Sequence, residues 1–201
     1  MGLFDSVKAA LGLRAGADAT RDADPDDLFG MSTAYLTMEA SLGYASTGDA
    51  ALCFSSLDST DFEDAVAEVE AILDAGAVET GTDARLVQDD HGHDWVVLND
   101  NDVEDLVTSV HFAADTLVEN GFGSRLLAAL FAFRKNETPV YWVYSFRRGS
   151  YYPFAPTGSH ERDSGTEFKL ESVLDGELDV ETDKEYWYPL WPDSPGSHPW
   201  E

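Results

Sequence analysis

The sequence predicts an α+β fold, a single domain in which a mostly antiparallel sheet of strand pairs alternates with three main helices. Three observations carry that prediction. Two stretches, 62–73 and 103–118, repeat apolar residues at the spacing of one helical face. Two pairs of short apolar and aromatic runs, 85–88 with 95–98 and 126–133 with 140–146, each flank a polar turn. Helices and strand pairs follow one another in alternation, with no internal repeat, and 201 residues suit one domain with a real core.

Taken in order, residues 1–15 place Leu3, Phe4, Val7 and Leu11 on one side of a short amphipathic helix. Residues 16–27, rich in Asp, Ala and Gly, read as a flexible acidic linker, and the folded domain is expected over 28–201. A first helix runs to about Leu42 and is closed by Gly43; residues 50–55 then form a buried strand. For the second helix, Thr60 and Glu63 form a capping box, Phe62, Val66, Val69, Ile72 and Leu73 make the stripe, and Gly76 is the stop. The third helix begins at a cap made by Asn101 and Glu104. Its face is Val103, Leu106, Val107, Val110, Ala114, Leu117 and Val118, and Asn120-Gly121 ends it. In the last strand of the second pair, Tyr141, Val143 and Ser145 alternate with Trp142, Tyr144 and Phe146. Both faces are therefore covered, or one of them docks a partner. A short helix over 167–174 and an extended aromatic strap over 187–192 complete the domain.

The formal charge is -27, from 39 acidic against 12 basic residues, and lysine occurs only at positions 8, 135, 169 and 184. This bias suits a protein kept soluble by carboxylates in a halophile's cytosol. At about 1 M salt the Debye length is roughly 3 Å, so only near-contact charges matter, and an acidic surface offers nothing to nucleic acid. The lone Cys53 sits in an apolar run, where a thiol behaves as a small buried hydrophobe. With no long apolar stretch and no leader pattern, the protein is expected to be cytoplasmic, peripheral at the inner face of the membrane at most.

No nucleophile elbow, zinc-protease helix, P-loop or dinucleotide fingerprint occurs, so neither catalytic residues nor a cofactor is expected and the chain reads as a non-enzyme. The His91-Gly92-His93 turn beside Asp89, Asp90 and Asp94 has metal-ligand residue types but lacks zinc-site spacing; a solvated turn is the expectation, with no metal. His111 borders the third helix's stripe and is expected to hydrogen-bond there. The most distinctive segment is 147–156, where Arg147, Arg148, Tyr151, Tyr152 and Phe154 gather cations and rings between turn residues. Arginine with tyrosine is the mixture of interface hot spots, so these five residues are the expected partner-binding surface. The alternative is that they neutralise nearby acids and fill the edge of the core. Leu3, Phe4, Val7 and Leu11 are the expected membrane contacts, with a gross burial gain of about 6–12 kcal/mol before ordering costs.

Several landmarks together resemble the phage-shock-protein-A-associated family PspAB. They are residues 1–5, Asp27-Leu28-Phe29 with residues 37–40, Cys53-Phe54, the turn over 90–95, Gly121-Phe122-Gly123 with Leu126-Leu127, residues 151–156, and the region 187–191. Tyr-Pro-Phe-Ala-Pro, at 152–156, is the most specific. The resemblance implies an intracellular protein of the envelope-stress system, associated with PspA and often with the membrane protease HtpX, and the role expected for it here is that of a non-enzymatic adaptor or regulator. The resemblance itself implies no settled activity. By fold-level analogy alone, the order of elements is also similar to YbjN and the type III secretion chaperones, which implies a protein-binding dimer as an alternative. An enzyme or small-ligand protein with an unrecognised site is the other.

Overall fold

The computed structural model describes residues 22–89, 91–158, 160–191 and 198–200, and these build a six-stranded antiparallel sheet with helices on one face. The amphipathic helix expected over 1–15 lies outside the described residues, as does the first half of the expected linker. The chain enters through a 3-10 turn, Pro25–Gly30, continues as α1 (Met31–Thr37) and ends in a π-helical turn, Met38–Leu42. Gly43 closes it at φ +71°, the left-handed position expected of that glycine. Pro25 is buried and Asp27 accepts a 2.6 Å hydrogen bond from the Tyr144 hydroxyl. The folded unit therefore takes in residues 25–27, which the sequence assigns to the linker.

Strand β1 (Ala45–Ser55) extends five residues further towards the N-terminus than its apolar run. The added half is polar and bulged. Gly48 sits there at φ +82°, its carbonyl accepting from the Asp100 N–H at 2.9 Å. Helix α2 (Thr60–Thr80) starts one residue earlier than expected, because extended Ser59 is the residue whose hydroxyl accepts from the Phe62 N–H at 3.2 Å. It also runs past Gly76, which keeps a helical conformation, and is closed by Gly81, the left-handed residue at φ +82°. Strands β2 (Asp83–Gln88) and β3 (His93–Asn99) form the first hairpin. Helix α3 (Val103–Glu119) is capped by Asp102, which accepts from the Glu104 N–H at 2.8 Å, one residue after the expected Asn101.

Strands β4 (Leu126–Lys135) and β5 (Thr138–Ser145) turn through Asn136 and Glu137, with Asn136 at φ +54°. Strand β6 (Ser150–Phe154) adds to β5. A small ribbon, β7 (Pro156–Gly158) and β8 (Glu161–Arg162), leads to helix α4 (Ser164–Leu174) and a 3-10 turn, Lys184–Tyr186. The sheet order is β2-β3-β1-β4-β5-β6. Strand β1 thus joins the hairpin to the meander, and its alternating side chains feed two cores.

One core lies under the helices, where Trp142, Tyr144 and Phe146 of the β5 segment meet Leu52 and Phe54 of β1 and the stripe of α3. The other lies on the opposite face, where Cys53, Trp95, Tyr141, Val143, Tyr152 and Phe154 are covered by Trp187, Leu190 and Trp200. The C-terminal strap is thus the second layer of the sandwich. Burying several aromatic rings at roughly 1.5–3 kcal/mol each outweighs the ordering of an irregular segment, which carries little backbone pairing of its own. Cys53 is fully buried, and burial pushes its thiol well up.

Candidate functional site

The segment expected to dock a partner forms the edge strand β6, whose side chains are buried on both faces. Tyr151 and Tyr152 are each 1% exposed and Phe154 is wholly buried. As β6 pairs with β5, Tyr151 faces the helices and gives its hydroxyl hydrogen to the Leu28 carbonyl at 3.1 Å, while Tyr152 and Phe154 face the strap. Burial pushes both tyrosine hydroxyls far up, so they stay neutral. A strand covered on both faces has the ring content of an interface, and the sequence could not separate the two.

Arg148 is likewise turned inward. Its Nε donates to Glu181 Oε2 at 2.8 Å and its guanidinium lies 3.8 Å from the Tyr186 ring centre. Partial burial opposes the charge on Glu181, yet hydrogen bonds from Arg148 and the Asp183 N–H, with the attraction of Arg148, hold its carboxyl below the usual range. Arg162 repeats the pattern: its Nε meets Glu167 at 2.8 Å and its Nη1 donates to the Trp187 carbonyl at 2.8 Å. Both arginines clasp the C-terminal segment to the β5–β6 edge. That edge is closed further by the Tyr151 N–H to Asp179 carbonyl bond (2.7 Å) and the Glu181 N–H to Tyr151 carbonyl bond (2.8 Å). Arg147 is different. It sits half-buried in the turn after β5, with Nη2 on the Ser124 carbonyl at 2.6 Å and Nε without a partner.

In the β2–β3 turn Asp89 is a hub of hydrogen bonds. Its Oδ1 accepts from the backbone N–H groups of His91 (2.8 Å) and His93 (2.9 Å), while its Oδ2 lies 3.0 Å from His93 Nδ1 and accepts from Trp95 Nε1 (3.1 Å). Burial disfavours its charge, but these donors and the attraction of His93 outweigh it and hold the carboxyl well below the usual carboxylate range. The carboxylate fixes the hairpin turn and the buried Trp95.

The residues that sequence reading missed lie on the helical side. Phe29 is 43% exposed and Phe112 is 50% exposed, and His111 lies between them, its ring centre 4.6 Å from Phe29 and 5.8 Å from Phe112. His111 Nε2 contacts Asp26 at 3.0 Å, the border hydrogen bond expected of it. Leu36, further along the same segment, is 52% exposed. The signal was present: Phe112 falls off the apolar stripe of α3, so a large ring was placed where no core position exists. Exposed aromatic side chains grouped on one face mark interaction surfaces.

One open groove of about 200 Å³ lies between α2 and β2, lined by Glu70, Leu73, Asp74, Ala84, Arg85, Leu86 and Val96. It is smaller than the roughly 300–1,000 Å³ of small-molecule sites. Among the described residues no helix is long and apolar enough to cross a membrane.

Comparison with curated protein sequences gives no match. The family model of PspAB, PspA associated protein B, matches residues 1–200, and the chain accordingly belongs to that family.

Proposed function

We propose that this protein is a non-enzymatic adaptor or regulator of a membrane stress response that binds PspA through the aromatic face around Phe29, His111 and Phe112. Family membership supports PspA as the partner. The observation that carries the choice of surface is the exposure of Phe29 and Phe112 beside one another on an otherwise acidic molecule. Rings of this kind, ordered on helical elements, lose little entropy on docking. HtpX is the further partner of this reading, and the N-terminal segment with Leu3, Phe4, Val7 and Leu11 would bring the adaptor to the membrane where that protease resides. A chaperone-like dimer needs an exposed apolar sheet face, and the strap over Tyr141, Val143 and Tyr152 weighs against it.

The test is capture of PspA from a high-salt extract by the full-length chain and by a Phe29→Ser/Phe112→Ser variant. Retention by the wild type and a loss of about tenfold in the variant, equivalent to about 1.4 kcal/mol, supports the reading. Equal capture removes the surface, and no capture by the wild type removes PspA as the direct partner. Vesicle flotation with and without residues 1–15 tests the membrane arm; equal flotation ends it.

A further inference from the structure

Among the described residues three cations meet an acid, and two of those that do not are brought together by the fold. The clasp residues behave as expected: Arg148 pairs with Glu181, Arg162 with Glu167 and Lys184 with Glu171. Arg125 and Arg147 do not. Neither meets a carboxylate at ion-pair distance among the described residues, although both are only half-exposed. The fold puts them at one end of the β4–β5 pair. Arg125 directly precedes β4 and its N–H is held by the Phe122 carbonyl at 2.8 Å. Arg147 follows β5 in a turn pinned by the Gly149 N–H to Ser145 carbonyl bond at 2.7 Å and the Phe146 N–H to Leu127 carbonyl bond at 3.2 Å. The Arg147 guanidinium also reaches the Ser124 carbonyl, one residue before Arg125, at 2.6 Å. Burial first, and the charge of Arg125 second, pull the proton affinity of Arg147 down, in keeping with the closeness that the strand pairing and the Ser124 contact give the two residues.

Holding two guanidinium groups together costs energy that one oxyanion shared between them returns, and the planar donor fork of arginine fits a carboxylate in a bidentate way. We propose that Arg125 and Arg147 form a carboxylate-binding site for an aspartate or glutamate side chain of a protein partner. An extended polyanion or an anionic lipid surface would face the acids of a -27 chain at many points, which a single carboxylate does not. The site rests on the protein-binding reading and adds the chemistry of one contact: the partner presents an acid.

The experiment is fluorescence anisotropy of the full-length protein with a dye-labelled, otherwise uncharged peptide that carries a single glutamate, at matched salt. The wild type should bind. An Arg125→Ala/Arg147→Ala variant should bind at least about tenfold more weakly, and Arg125→Lys/Arg147→Lys should fall between them because lysine keeps the charge but loses the fork. Arg134→Ala, an exposed arginine at the other end of the same strand pair, should bind as the wild type does. If Arg147→Ala alters the far-ultraviolet circular dichroism, the Arg125→Ala single variant decides, since Arg125 is tied to its neighbours by backbone groups. No binding by the wild type, equal binding by wild type and double variants, or an equal loss in Arg134→Ala overturns the proposal. So does arginine-dependent flotation on phosphatidylglycerol vesicles without peptide binding, which would assign the pair to lipid phosphate. Peptide binding without PspA capture leaves the site and removes that partner; PspA capture without peptide binding does the reverse.

Discussion

Arg148 Nε lies 2.8 Å from Glu181 Oε2, joining the β5–β6 turn to a residue more than thirty positions on, with side-chain exposures of 19% and 7%. Removing the cation leaves a buried carboxylate that still accepts from the Asp183 N–H at 2.9 Å but has lost its counter-charge. Arg148→Ala should cost about 3 kcal/mol in guanidinium unfolding at fixed salt, and Glu181→Gln less, since it removes the charge together with the need for it.

Acid stability should depend on Asp89. Its folded-state carboxyl is held well below its unfolded value of about 3.9, so its contribution is complete above that value and is lost as pH falls through the lower, folded one. Asp89→Ala should lose about 2–3 kcal/mol at neutral pH, through the donors left at His91, His93 and Trp95. Its melting temperature should also fall less steeply below pH 4 than that of the wild type, which a series of thermal scans checks.

Gly48 is the glycine whose replacement should be most damaging. A Cβ there would sit 2.7 Å from the Asp100 carbonyl oxygen, and the residue holds φ +82°. Gly48→Ala should lose more than about 2 kcal/mol by chemical denaturation, whereas Gly76→Ala, whose Cβ meets nothing within 4 Å, should be neutral or slightly stabilising.

Trp200 packs against Trp95 at 5.5 Å between ring centres and stacks on His198 at 4.3 Å, yet its indole N–H has no acceptor. Trp200→Phe should therefore cost under about 1 kcal/mol, because the unpaired donor leaves with the extra ring, while Trp200→Ala should cost about 3 kcal/mol. Binding of a hydrophobic dye should rise only in the alanine variant, as the strap lifts from the sheet.

Sequence made the regular parts of this fold legible because periodicity reports burial directly. The stripe of α3 and the β4–β5 hairpin follow the expected pattern, and boundary errors of one residue, at Ser59 and Asp102, arise because neighbouring polar residues compete for the same cap. The overrun of α2 past Gly76 has another cause: a glycine permits a stop but does not impose one. Harder to read was the division between site and core in residues 147–154. Arginine and tyrosine near a turn have the same composition whether they meet a partner or the chain's own C-terminal segment, and only the layer formed by Trp187, Leu190 and Trp200 distinguishes the cases. Of the five residues expected at the interface, Arg147 alone keeps a half-exposed cation without an acid partner, and its companion Arg125 gave no local signal because their proximity depends on strand pairing.

The sealed position of Cys53 gives the molecule an internal clock. Flanked on β1 by Leu52 and Phe54 and paired across to Trp95 and Ala128, the sulfur can be alkylated only when the centre of the sheet comes apart. The rate at which a thiol reagent consumes it therefore times the rarest and largest opening of the native state, with no label to install and no second sulfhydryl to confuse the count.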